Sequence, residues 1–208
     1  WRIGKFKDML PVYIESEKIS EIIIIDNDPD NSFDIVDPKI RKITKGENIY
    51  INPAWNWGVA ESKTNYVALV NDDITISKNE LSEMIDACIS GIESDGYGII
   101  GIDETCFKEE NRSSISIEQM VKRPKGYGVF LFTTKSDYTP IPEDLLLWVG
   151  DDIQYYTNKA GKLKGEYIET KMTETIGSEE KLIGLARKDV EIYNENYLEK
   201  ISKKKERK

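Results

Sequence analysis

The stretch Tyr66-Val67-Ala68-Leu69-Val70-Asn71-Asp72-Asp73-Ile74 is an apolar run that ends in two adjacent carboxylates. A short β-rich run bounded by polar residues predicts an interior strand. In an open α/β sheet, ligands bind beyond the carboxyl ends of such strands, which places Asp72 and Asp73 at the mouth of a cleft. Adjacent carboxylates repel unless a cation or hydrogen-bond donors hold them, and hard divalent cations take oxygen ligands and bridge to phosphates. The plainer alternative is a strand followed by a polar turn. The rest of the chain decides between the two.

Two further apolar runs end in the same way. Glu21-Ile22-Ile23-Ile24-Ile25-Asp26-Asn27-Asp28 carries an unbroken β-branched run, which predicts a parallel strand covered on both faces. Leu145-Leu146-Leu147-Trp148-Val149-Gly150-Asp151-Asp152-Ile153 repeats the theme and predicts a third strand, then a helix with Ile153, Tyr156 and Ala160 on one face and Gly161 as its stop. Aspartate at a helix start caps free N–H groups and complements the dipole. That accounts for one of the pair and leaves the other unexplained.

Between these runs, helical spacing predicts helices over Lys5–Ser16, Ala54–Ser62 (entered through Asn52-Pro53), Ser77–Ile92 and Glu179–Tyr197. Further strands are expected over Ile40–Ile43, Gly96–Asp103 and Gly128–Phe132. The alternation predicts a single α/β domain with a mostly parallel central sheet flanked by helices. Lys122-Arg123-Pro124-Lys125 reads as a solvated basic loop, and the segment 199–208, with Lys203 to Lys208, as a basic tail or linker behind a domain spanning 1–198.

Composition narrows the chemistry. The 208 residues suit one domain with a sizeable core. A net charge of −9 argues against a nucleic-acid surface, because phosphate backbones are held by clustered Lys and Arg. Histidine is absent, which excludes imidazole bases, His-based triads and ordinary zinc sites and leaves Asp or Glu for acid/base work. Cys88 and Cys106 are expected as free thiols. With no apolar run near the roughly 20 residues of a membrane span and no signal-peptide pattern, the sequence reads as cytoplasmic.

Taken together, Ile22-Ile23-Ile24-Ile25-Asp26-Asn27, Asn56-Trp57-Gly58-Val59-Ala60, Val70-Asn71-Asp72-Asp73 and Trp148-Val149-Gly150-Asp151-Asp152 resemble the GT-A fold (Rossmann-like) of nucleotide-sugar glycosyltransferases, particularly the family-2-like group. The resemblance runs from Glu21 to about Tyr193. It implies that Asp26, with Asn27 beside it, meets the uracil of a UDP-sugar, and that Asn56 lies near the nucleotide or diphosphate. Asn71-Asp72-Asp73 looks like an Asp-x-Asp motif whose first Asp is replaced. Asp73 is then the principal ligand of Mn2+ or Mg2+, with Asp72 for the ribose or the metal. The Asp151-Asp152 pair resembles the Glu-Asp pair that carries the base in inverting members, with Asp152 the favoured base and Asp151 the alternative.

The implied activity is transfer of a hexose from a UDP-sugar, UDP-glucose by default, to a hydroxyl of a glycan or other acceptor. Departures from the family pattern are equally plain. The first strand and its nucleotide loop are expected upstream of Trp1, so Trp1 and Arg2 read as the remnant of that loop, and one domain of a larger viral or bacterial glycosyltransferase fits this start. A histidine that many members place on the metal has only Glu169, Thr173 and Glu174 as substitutes here. A Gln-x-x-Arg-Trp motif is absent, which argues against a processive polysaccharide synthase. The rival readings are a retaining transferase and a non-catalytic nucleotide-sugar-binding domain. A nucleotidyltransferase lacks its Gly-rich basic loop here, and a receiver domain has no place for the two acidic pairs.

Overall fold

The computed structural model describes residues 5–28, 30, 35–170 and 180–205. Helix α1 (Lys5–Glu15) leads into β1 (Ile22–Ile25), β2 (Ile40–Ile43) and α2 (Ile51–Glu61). Then come β3 (Tyr66–Val70), β4 (Ile74–Thr75), α3 (Lys78–Asp95) and β5 (Ile99–Ile102). After β6 (Ser116–Gln119) and β7 (Phe130–Thr134) follow α4 (Gly150–Thr157), β8 (Ala160–Lys164) and β9 (Glu169–Thr170). Helices α5 (Glu180–Asn196) and α6 (Leu198–Lys205) close the described chain.

The central sheet runs β3-β7-β5-β8-β6, with β1 pairing β2 and β4 pairing β9 in two smaller sheets. Alternation along the strands divides the core. Ile100, Phe130 and Phe132 join Met9 of α1 and Leu81, Met84 and Cys88 of α3 on one face. Ile99, Leu69 and Leu131 join Val59 of α2 and Tyr155 of α4 on the other. This is a sheet between two helical layers. Helix α3 begins with a capping box, in which Ser77 and Glu80 satisfy each other's backbone N–H groups, and ends at Gly96 in the left-handed region (φ 70°).

The sheet is mixed rather than mostly parallel. β5 and β8 are parallel, but β7 runs antiparallel to both β3 and β5, and β6 runs antiparallel to β8. The cause lies in the connection after β5. Having left the sheet at the carboxyl end of β5, the chain enters it twice more from that same edge, first as β6, whose Ser116 faces Lys164 at the end of β8, and then as β7, ahead of which the Asn71 N–H donates to Val129 O at 3.0 Å. A strand that starts there can only run back.

Three local expectations change as well. β1 is parallel to β2, but only Ile24 of its isoleucines is fully buried. Leu145–Val149 is irregular, with bends over 147–149, instead of a strand, for a reason that lies in Asp189. Helix α4 stops at Thr157, before Gly161, which instead belongs to β8. A side chain at Gly161 would press on Ile117 and Tyr97 at 3.0–3.1 Å, so glycine there serves sheet packing. Lys203 to Lys205 continue α6, whose Leu198 and Ile201 pack on the cluster of Ile141, Leu145, Val149, Ile153 and Tyr193.

Candidate active site

At the end of β3 the two carboxylates part company. Asp72 is exposed, whereas Asp73 is 6% exposed, with Thr170 Oγ1 of β9 lying 3.5 Å from its Oδ2. The antiparallel β4–β9 pair, in which Ile74 faces Thr170 and Thr75 faces Glu169, brings this segment over the motif. Among the suggested substitutes for a metal-binding histidine, Glu169 is exposed on β9; Thr173 and Glu174 lie outside the described residues, as do Trp1 and Arg2. No group of three or more His, Cys, Asp or Glu side chains that could hold a metal ion occurs among the described residues.

Asp26 ends β1 and is 3% exposed. Its Oδ1 accepts the Asp28 N–H at 3.1 Å, and Lys42 Nζ stands 3.9 Å from Oδ2. The neighbouring Asn27 accepts the Ile49 N–H at 3.2 Å and donates to Tyr50 O at 3.3 Å. Tyr50 has φ 65° and directly precedes α2. A non-glycine residue at positive φ is held only where its surroundings over-determine it, and Asn27 is one of the groups that do so. The acidic end of β1 is thereby locked to the start of α2.

From α2, two asparagines reach the segment that carries the second acidic pair. Asn52 Nδ2 donates to Trp148 O at 2.8 Å. Asn56 donates to Ile141 O at 2.8 Å and accepts from the Ile141 N–H and the Tyr138 hydroxyl, both at 2.9 Å. The carboxamide of Asn56 thus fastens the 138–141 loop, which explains a polar residue between Trp55 and Trp57. Gly150 is required where it stands: a Cβ there would lie 2.3 Å from Asn52 Oδ1.

Asp151 and Asp152 occupy the first turn of α4, and Arg123 grips both. Its Nε donates to Asp152 Oδ1 at 2.5 Å and its Nη1 to Asp151 Oδ2 at 2.9 Å. The Asp152 N–H donates to Asp151 Oδ1 at 3.1 Å. Burial, followed by repulsion from Asp151, pushes the Asp152 carboxyl up to about 6 against the opposing pull of Arg123. That is a suitable value for a general base near neutrality. Arg123 belongs to the basic run expected to be a solvated loop; no local pattern signals an ion pair formed across 28 and 29 residues of sequence.

The turn before α4 is strained. Val149 adopts the left-handed region at φ 62°, costly for a β-branched residue. Upstream of it, the carboxylate of Asp189 on α5, 2% exposed, accepts three backbone N–H groups: Leu146 at 3.0 Å, Leu147 at 2.5 Å and Trp148 at 2.8 Å. These amides are the ones a strand would have used for pairing. Asp189 was not among the sequence candidates, since a lone Asp in a charged helix looks like surface.

The two acidic centres adjoin through the start of β7. Asn71 bonds to Val129, and a side chain at the preceding Gly128 would meet Asp151 Cβ at 3.1 Å. Carboxylates at the end of β3 and at the start of α4 therefore share one edge of the sheet. Residues 12–138 match the model of glycosyl transferase family 2. The chain belongs to glycosyl transferase family 2. The matched residues include Asp26, Asn27, Asn56, Asp72, Asp73 and Arg123; Asp151, Asp152 and Asp189 lie beyond them.

The structure of this family 2 chain is similar to a crystal structure of GalNAc-T7 with UDP, GalNAc and Mn2+. The TM-score is 0.54 at 11% identity, covering 93% of this chain and 47% of that one, a likeness of fold. The chain thus spans about half the length of that protein. No curated protein matches the family 2 chain by sequence. No helix among the described residues is long and apolar enough to cross a membrane.

Proposed function

We propose that this chain is a metal-dependent glycosyltransferase that moves a hexose from a UDP-sugar to a hydroxyl of a glycan acceptor, with inversion at the anomeric carbon. The observation that carries it is the Asp151–Asp152 pair, with one carboxyl raised to about 6, beside the acidic end of β3. Family membership supports the reaction class, and the similar GalNAc-T7 structure contains UDP and Mn2+.

In this reading Asp26 and Asn27 receive the uracil end of the donor. Asp73 and Asp72 would hold Mn2+ or Mg2+. With Asp72 exposed and Asp73 buried beside Thr170, they would supply only part of an ion's shell and leave the rest to diphosphate and water, unlike an ion enclosed in a protein cage. When bound, such an ion stabilises the negative charge that develops on departing UDP. Asp152 removes the acceptor hydroxyl proton as the oxygen attacks the anomeric carbon. With histidine absent from the whole chain, a carboxylate is the natural residue for this step.

The test is a screen of UDP-sugars, UDP-glucose and UDP-GalNAc first, for UDP release and acceptor glycosylation. The Asp152→Asn variant is expected to lose transfer by at least about 10²-fold while still binding UDP. Full activity in that variant would remove Asp152 from the mechanism, and product anomers read by NMR would expose a retaining reaction.

A further inference from the structure

We infer that Arg123 is the positioning residue that selects Asp152, rather than Asp151, as the base. The inference rests on the glycosyltransferase reading and deepens it.

The geometry differs between the two carboxylates. Both oxygens of Asp151 are engaged: Oδ1 by the Asp152 N–H and Oδ2 by Arg123 Nη1. At Asp152 the guanidinium Nε takes Oδ1, while Oδ2 has no hydrogen-bond partner among the described residues. Each side chain is 20% exposed, so what separates the two is the hydrogen bonding: Oδ2 of Asp152 is the one oxygen of the pair that no described group engages. The planar fork of arginine fixes both carboxylates at once, which a point charge on a flexible stem does not.

The chemistry balances around this arrangement. The acceptor oxygen bonds to the anomeric carbon, its proton passes to Asp152 Oδ2, and the carbon–oxygen bond to UDP breaks with its electron pair on the diphosphate. Asp152 becomes neutral, and Arg123 remains matched to the ionised Asp151. Before the transfer, the guanidinium lets two neighbouring carboxylates stay charged together. The other titratable groups near the pair are Tyr155 and Tyr156 on α4, Tyr193 on α5 and Tyr127 ahead of β7. All four are phenols with raised pKa, so they stay neutral and none competes with Arg123 for the pair.

The loop that bears Arg123 is anchored independently of the ion pair. The Met120 N–H donates to Ala160 O at 2.9 Å, Val129 N–H to Gly126 O at 3.1 Å, and the Tyr155 hydroxyl to Val121 O at 2.6 Å. Removing the guanidinium therefore leaves the loop its own supports.

The experiment compares Arg123→Met and Arg123→Lys with the parent chain, using carboxyl 13C NMR titration of Asp152 and the pH dependence of kcat/KM. In Arg123→Met the Asp152 midpoint and the acid limb are expected to rise together by about one pH unit, with kcat down roughly 10-fold or more. Arg123→Lys should keep the midpoint and still lose kcat, separating charge from orientation. An unshifted NMR midpoint in Arg123→Met, or kcat within about twofold of the parent, overturns the inference. Because the NMR midpoint needs no turnover, a parent chain that transfers no sugar while its midpoint responds to Arg123→Met overturns the transferase reading instead.

Discussion

The carboxylate of Asp189 accepts the backbone N–H of Trp148 at 2.8 Å, four residues before the proposed base. With the amides of Leu146 and Leu147 on the same carboxylate, α5 sets the course of the chain into the strained Val149 and the first turn of α4. Replacing Asp189 with Asn exchanges an acceptor oxygen for a donor and strands at least one buried amide. The expected cost is on the order of 2 kcal/mol, read as a lowered denaturation midpoint. Transfer should fall by about 10²-fold through misplacement of Asp152, while UDP affinity, proposed above to rest on Asp26, Asn27, Asp72 and Asp73, stays within about twofold. Equal losses in UDP binding and turnover would show that Asp189 acts on the whole fold.

Trp148 presents a second consequence of the same clamp. Its backbone is pinned from both sides, by Asp189 and by Asn52, yet its side chain is 44% exposed. A rigidly mounted, exposed aromatic ring four residues from the proposed base offers an apolar platform to the C–H face of a sugar ring. Trp148→Ala is expected to raise the acceptor KM by about 10-fold with little change in UDP binding. Steady-state kinetics with the acceptor varied at saturating donor would check this; an unchanged acceptor KM would assign the ring no role in the acceptor site.

For the metal, the prediction concerns coupling. Calorimetric titration of UDP should show binding strengthened by Mn2+, and Asp73→Ala should abolish that strengthening while leaving the metal-independent part of the affinity in place. Asp72, exposed where Asp73 is buried, should have the smaller effect when replaced. UDP binding by the parent chain that Mn2+ does not strengthen, or an unaltered Mn2+ effect in Asp73→Ala, would eliminate the assignment.

Much of this site was legible in the sequence because it depends on short-range pattern. Val70-Asn71-Asp72-Asp73 announces a strand and its acidic end within a few residues, and helical spacing over Ser77–Ile92 announces α3. The Asp151–Asp152 pair was equally visible, but its setting was not. An apolar run such as Leu145–Val149 looks like a strand until one knows where its amides donate, and their acceptor stands more than 40 residues away in Asp189. Arg123 was hidden in the same way: a basic run before a glycine-rich turn carries no mark of the carboxylates it will meet. Gly161 looked like a helix stop because glycine serves both helix ends and crowded strands. Long-range partners decide each of these cases, and periodicity is blind to them.

The last prediction concerns stability and lies at the far end of the sheet edge. Glu166, 5% exposed between β8 and β9, has its carboxyl pushed up to about 7 by burial and by Glu80 and Glu83, with Arg112 opposing. Arg112 is itself paired with Glu80 at 2.6 Å, so it does not neutralise all three acids. A carboxyl raised in the folded state binds its proton more tightly there than in the unfolded chain. Its contribution to stability is therefore fully present below the ordinary glutamate range and is lost as pH rises through about 7. The parent chain should melt at a lower temperature at pH 8 than at pH 5. Glu166→Gln, which cannot ionise, should reduce that difference, raising the pH 8 midpoint by several degrees, roughly 2–4 °C per kcal/mol for a chain of this size. Scanning calorimetry at the two pH values decides it: a variant whose midpoint falls at pH 8 as much as the parent's would show that Glu166 is not the titrating group.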